Sequence, residues 1–127
     1  MSNKGKELYE FGPYRLDPEK RILLRDHEPI PLQMKAFETL LVLVRHSEEV
    51  VLKDDLMKTV WPDTFVEESN LTQNIFVLRK ALGDEAGDRR YIVTIPGRGY
   101  RFVEKVRTLP KEDILVVESL PITGGHG

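Results

Sequence analysis

Apolar residues recur along this chain with two different periods, and the change from one to the other falls between Leu82 and Tyr91. Leu71, Ile75, Leu78 and Leu82 follow spacings of four, three and four, which stack on one face of a helix. Gly83 comes next and supplies the left-handed residue that ends helices. Beyond it, Tyr91-Ile92-Val93-Thr94-Ile95 and Tyr100-Arg101-Phe102-Val103 are β-branched and aromatic, with Pro96-Gly97-Arg98-Gly99 as a turn between them. A helix followed at once by an arginine-tipped hairpin predicts a nucleic-acid reader, with the helix in a groove and the hairpin on the strand beside it.

The upstream pattern completes the architecture. Tyr9-Glu10-Phe11, Tyr14-Arg15-Leu16 and Arg21 to Arg25 read as short strands separated by Gly12-Pro13 and by the turn Asp17-Pro18-Glu19-Lys20. Asp26-His27-Glu28 turns again before Pro29-Ile30-Pro31, whose prolines keep that segment at a sheet edge. Phe37, Leu40, Leu41 and Val44 then fit the i, i+3, i+4, i+7 pattern of a helix running from about Gln33 to His46. After the short apolar run Val50-Val51-Leu52, a second helix starts near Lys53, with Asp54 and Asp55 favouring its dipole, and stops at Pro62. Thr64 and Glu67 have capping-box spacing, so the third helix is expected to begin there rather than at Ser69. The order of strands, three helices and a hairpin predicts an α+β winged helix-turn-helix with an N-terminal antiparallel sheet. The Pro62–Glu68 connection is longer than the usual tight turn. On this reading residues 1–8 are a flexible N-terminus, 9–103 the domain, and 104–127 a tail or linker. Ile114-Leu115-Val116-Val117 in that tail is open to three readings: an edge strand, a segment packed on the domain, or the start of a linker.

Charge changes this picture only once it is divided along the chain. The net charge is −2, which alone argues against DNA binding. From Asn70 to Arg107, however, eight basic residues face four acidic ones, a local balance of +4 that leaves −6 for the remainder. Binding follows the local field more than the total. The chain has no cysteine, no signal-peptide pattern and no apolar run near the roughly 18 residues of a membrane span. A cytoplasmic setting is expected.

The blocks Pro31-Leu32, Val51 through Trp61, Leu71-Thr72-Gln73-Asn74-Ile75 with Leu78-Arg79-Lys80, and Tyr91-Ile92 to Pro96-Gly97-Arg98-Gly99-Tyr100-Arg101-Phe102 occur in order and at family spacing. Together they resemble the OmpR/PhoB-type winged-helix DNA-binding domain of bacterial transcription regulators, and within it the CadC/ToxR-like branch. The resemblance spans about Tyr9 to Val103. It implies sequence-specific binding to double-stranded DNA as a regulator's effector domain in signal transduction, often as tandem copies on direct repeats. In some relatives the loop corresponding to Trp61–Ser69, with Phe65 in it here, contacts RNA polymerase, and a plain connector is the other reading; the CadC/ToxR-like resemblance also implies a linker, membrane helix and sensor elsewhere in a longer protein. Three positions depart from the family pattern. Leu52 stands where a capping Ser or Thr is common, and Phe76 and Val77 stand where response regulators are often basic.

With the leucine seam inward, Thr72, Gln73, Phe76, Val77 and Lys80 are expected to project away from the core. Gln73 has the groups to pair in bidentate fashion with adenine, while Thr72, Phe76 or Val77 suits a thymine methyl. Asn70, Asn74, Arg79 and Lys80 are assigned to phosphates, Arg98 between its glycines to a narrow minor groove, and Arg101 to a phosphate. The competing reading is a protein-interaction module that uses Phe76 and Val77 against RNA polymerase or another partner. Enzymatic readings find little support. The pairs Glu48-Glu49, Asp54-Asp55 and Glu67-Glu68 read as helix-end charge, since neighbours on a helix point about 100° apart. His27, His46 and His126 are too scattered to suggest a metal site, and Gly97-Arg98-Gly99 lacks the rest of a phosphate loop. No catalytic function and no cofactor is expected.

Overall fold

The computed structural model describes residues 7–84 and 87–110. An N-terminal sheet begins with β1 (Glu7–Phe11), β2 (Tyr14–Asp17), β3 (Ile22–Arg25) and β4 (Glu28–Ile30), all antiparallel. Its turns are local chemistry. Gly12 takes φ 54° between β1 and β2. Asp17 Oδ1 accepts the N–H groups of Glu19 and Lys20 at 3.0 and 3.1 Å, the side-chain turn that Asp favours. Asp26 and His27 both have positive φ, as a two-residue hairpin turn with the right twist requires.

Three helices follow: α1 (Met34–Arg45), α2 (Lys53–Val60) and α3 (Glu68–Leu82), with β5 (Val50–Leu52) between the first two. Neither Leu52 nor Glu67, the residues that open α2 and α3, makes a side-chain cap. The expected start of α3 at Thr64 is corrected to Glu68. A capping box needs its fourth residue already inside the first helical turn. Glu67 instead sits in extended geometry, at φ −81° and ψ 154°, as the cap residue of α3.

The wing is β6 (Ile92–Ile95) and β7 (Gly99–Phe102), and β5 pairs with β7 to make a sheet ordered β5-β7-β6. The last strand, β8 (Arg107–Pro110), pairs with β1, so the first sheet has the order β4-β3-β2-β1-β8. The boundaries drawn at residues 8 and 103 therefore both fall short of the sheet. Leu8 is buried inside β1 and aligns with Leu109 of β8. The unpaired edge of β1 offers backbone groups that a following segment satisfies even without strong strand propensity. Residues 1–6 of the expected flexible N-terminus and the Ile114–Val117 run lie outside the described residues.

One core joins both sheets to the helices. Phe11, Tyr14, Tyr91 and Phe102 meet ring to ring with centroids 5.0 to 6.2 Å apart, tying the root of the wing to the N-terminal sheet. Beneath them Leu40, Leu43, Val44, Leu56, Leu71, Ile75 and Leu78 are buried. Each such side chain contributes roughly 1.5–3 kcal/mol by leaving water. That burial fixes the rotation of α3 about its axis and so decides which residues it presents outward.

Candidate nucleic-acid interface

The four seam residues of α3 are all buried, which turns Thr72, Gln73, Phe76 and Lys80 to solvent. Asn70 is also exposed, and its Nδ2 donates back to the Glu67 carbonyl at 3.2 Å. Ser69 shares that outward side, which the seam spacing already implied at about 100° per residue. Lys80 Nζ lies 5.7 Å from the centre of the Phe76 ring, so the exposed aromatic carries a cation over its face. Gly83 ends the helix in the left-handed conformation at φ 67°, and the Asp84 N–H returns to the Arg79 carbonyl at 2.8 Å.

Three of the residues expected to face DNA are placed elsewhere. Asn74 Nδ2 donates to Thr39 Oγ1 at 3.2 Å and ties α3 to α1. Val77, on the same flank of the helix, is partly buried against the core. On the opposite flank, Arg79 turns to the wing. Its Nε and Nη2 donate to the Ile92 carbonyl at 3.3 and 2.9 Å, and Nη2 also donates to Thr94 Oγ1 at 2.8 Å. Burial lowers the pKa of this guanidinium, Arg89 pushes it the same way, and Asp84 opposes them. Periodicity sorts residues into inward and outward only, and these three sit on the flanks between.

Asp84 is a buried carboxylate, and its position was not singled out by the helical pattern. It accepts the N–H groups of Arg90 at 2.6 Å, Tyr91 at 3.3 Å and Ile92 at 2.9 Å, which holds the root of the wing against the end of α3. Arg89 donates from Nη1 to the Asp84 carbonyl. An open cleft of about 690 Å³ runs between α3 and the wing, lined by Thr72, Phe76, Arg79, Lys80, Arg89 and Thr94. Arg89 and Thr94 were both missed as site residues. The available signal for Thr94 was strand alternation, which puts it on the same side as buried Ile92.

The wing tip uses its glycines for its own folding. The Arg98 N–H bonds the Ile95 carbonyl at 2.9 Å across Pro96 and Gly97, and Gly97 has φ 72°, the proline-glycine order of a type II turn. At Gly99 a Cβ would lie 2.0 Å from the Val51 carbonyl oxygen, so only glycine lets β5 close on β7. The Lys53 N–H completes that junction by bonding the Arg98 carbonyl at 3.0 Å. The Arg98 side chain itself is exposed. Arg101 is exposed too, but it aligns with Val50 and Val93, whereas Thr94 aligns with Tyr100. Alternation therefore puts Arg101 on the sheet face opposite the one Thr94 turns to Arg79.

Residues 27–102 match the family described as "Transcriptional regulatory protein, C terminal". Over 117 residues the chain is 32% identical to the cholera toxin transcriptional activator of Vibrio cholerae, covering 88% of this chain and 40% of that protein. It is 38% identical over 80 residues to the transcriptional regulator HilA of Salmonella typhimurium, covering 63% of this chain and 14% of that protein. The chain thus spans well under half the length of these curated relatives. Among solved structures, the DNA-binding domain of Escherichia coli CadC superposes with a TM-score of 0.70 at 30% identity, over 81% of this chain and 97% of that one. The DNA-binding domain of Klebsiella pneumoniae RstA, solved in complex with the RstA box, gives 0.67 at 26% identity, over 76% of this chain and 96% of that one. With the two sheets, the outward face of α3 and the wing already in place, the chain belongs to the OmpR/PhoB-type winged-helix family, the C-terminal domain of transcriptional regulatory proteins.

Proposed function

We propose that this protein is the DNA-reading module of a transcription regulator, with α3 in the major groove and the wing tip at the neighbouring minor groove. The observation that carries the reading is the uncovered side of α3. Thr72, Gln73, Phe76 and Lys80 stay exposed on a helix whose other side is fully packed, and exposed Arg98 ends the wing that Arg79 ties to that helix. The related RstA domain, solved in complex with the RstA box, has the same fold. Gln73 is assigned to a base edge, Thr72 and Phe76 to thymine methyls or nearby sugars, Lys80 and Asn70 to phosphates, and Arg98 to the minor groove. Such a module positions a protein on DNA without catalysis.

Three finer parts of the proposal concern the whole protein. Tandem copies on direct repeats would supply the affinity that one small interface lacks. The α2–α3 connection carries Phe65 at 92% exposure, a suitable anchor for RNA polymerase beside DNA. Trp61 of the same connection packs partly into the core, so it supports the loop rather than leading the contact. A DNA-reading role calls for a cytoplasmic domain, and the relation to longer CadC/ToxR-like regulators supports a membrane-anchored parent; no described helix is long and apolar enough to cross a membrane.

The competing protein-binding reading loses ground on this geometry. Val77 is partly buried and Phe76 carries Lys80 over its ring, which leaves no continuous apolar face on α3. Selection of bound sites from random duplex DNA at fixed salt tests the proposal. A recovered motif whose affinity falls steeply with salt supports it. Recovery without a motif, or binding indifferent to salt, would overturn it.

A further inference from the structure

The relation between α3 and the wing decides whether two grooves can be met at once, and the contacts that set it are few and specific. The hydrogen bonds that the Asp84 carboxylate accepts hold the backbone from Arg90 to Ile92, so the strand is anchored at its root. Pairing with β5 and the Lys53–Arg98 bond hold the far side of the wing to α2, but neither reaches α3, so β6 can still swing against that helix. From Ile92 to Ile95 the strand advances roughly 10 Å at about 3.3 Å per residue, so a swing of about 15° about the root displaces the tip turn by roughly 2.6 Å. That is enough to break a hydrogen bond to a groove. Arg79 supplies a second point of attachment between β6 and α3. Its planar guanidinium reaches both the Ile92 carbonyl and the Thr94 hydroxyl, and its partial burial keeps it off the open surface.

We propose that Arg79 is a positioning residue: by donating to Ile92 and Thr94 it sets the angle between α3 and the wing, and so keeps Arg98 in register with the bases read by α3. This rests on the DNA-reading function above. It reassigns Arg79 from the phosphate contact expected of a basic residue on this helix. The Arg79 fork is a geometric requirement, since lysine has charge but no planar pair of donors. The two roles therefore respond differently to Arg79→Lys. A phosphate contact survives that change largely intact, whereas a fixed angle does not.

The experiment is a double-mutant cycle on the selected duplex, with affinity followed against salt for the unaltered protein, Arg98→Ala, Arg79→Lys and the pair. Arg98→Ala is expected to lower the salt slope by about one in the unaltered background and by less than about half that beside Arg79→Lys. In the free protein, residual dipolar couplings of β6 and β7 are expected to show the wing turned relative to α3 in Arg79→Lys. Thr94→Val, which removes one acceptor, should turn it the same way by a smaller angle. An unturned wing overturns the proposal, and so does an additive cycle in which Arg98→Ala is costly in both backgrounds. A turned wing with a silent Arg98→Ala overturns the minor-groove role of Arg98, and the register half of the proposal with it.

Discussion

The two sheets treat their arginines in opposite ways. In the N-terminal sheet, Glu10 holds Arg15 at 2.6 Å and Arg107 at 2.5 Å, joining β2 and β8 through β1. Arg21 pairs with Glu38 at 3.1 Å. On α3 and the wing, among the described residues, no ion pair reaches Lys80, Arg98 or Arg101. A chain of net charge −2 thus keeps its positive field where it is uncompensated. The lesson is that pairing, more than composition, decides which cations are available to a polyanion.

The largest expected effect breaks the junction on which the wing depends. Gly99→Val would drive its side chain into the Val51 carbonyl and expel β5 from the sheet. We expect a loss of about 3 kcal/mol in urea unfolding. Stability within about 0.5 kcal/mol of the unaltered protein would show that β5 yields easily. Next comes the reading surface itself. Gln73→Ala is expected to cost about 1–3 kcal/mol at one base pair and to relax the choice there. Equal losses on the selected site and on random DNA would mean that Gln73 reads no base.

A smaller and less selective loss is expected at the wing tip. Arg98→Ala should weaken binding across sequences and remove about one unit of salt slope. An unchanged slope would count against a groove contact. The smallest effect belongs to the paired side of the comparison. Glu10→Gln should cost about 0.5–1 kcal/mol of stability and leave DNA affinity unchanged. The Arg15 guanidinium, hydrogen-bonded to the Glu10 carboxylate, holds its pKa below the ordinary 4.5, and Arg107 adds to the effect against partial burial. A depressed folded pKa stabilises the fold above the ordinary value, and the gain fades as pH falls through the folded one. The gap between the unaltered protein and Glu10→Gln, read from unfolding midpoints, should therefore be full near neutral pH and close only below about pH 4.5. A gap that persists in strong acid would assign the loss to packing.

Elements built from local pattern were legible in the sequence. The α1 expectation of Gln33 to His46 differs from Met34–Arg45 only by the two cap residues, because its apolar face repeats over three turns. The leucine seam of α3 and the stop at Gly83 were equally plain. The capping box at Thr64 was misleading, since spacing records an opportunity for a hydrogen bond and not whether the backbone approaches at the required angle. Strand β8 was hidden for another reason: Arg107-Thr108-Leu109-Pro110 carries little strand signal, and what makes it a strand is the open edge of β1. At the candidate site, Gln73 and Lys80 were legible because they lie opposite the seam. Asn74, Val77 and Arg79 were not, because a flank residue meets whatever neighbour the fold brings.

By itself, the sequence determined the kind and order of the elements, the inward face of each helix, and the concentration of positive charge after Asn70. Those properties follow from periods of 3.6 and 2 and from residues read one at a time. Tertiary structure decided which cations stay unpaired, which side of the wing Arg101 occupies, and that Arg79 meets Thr94 fifteen positions away. A side chain's partner depends on the direction in which separate elements are packed, and no window along the chain holds that direction.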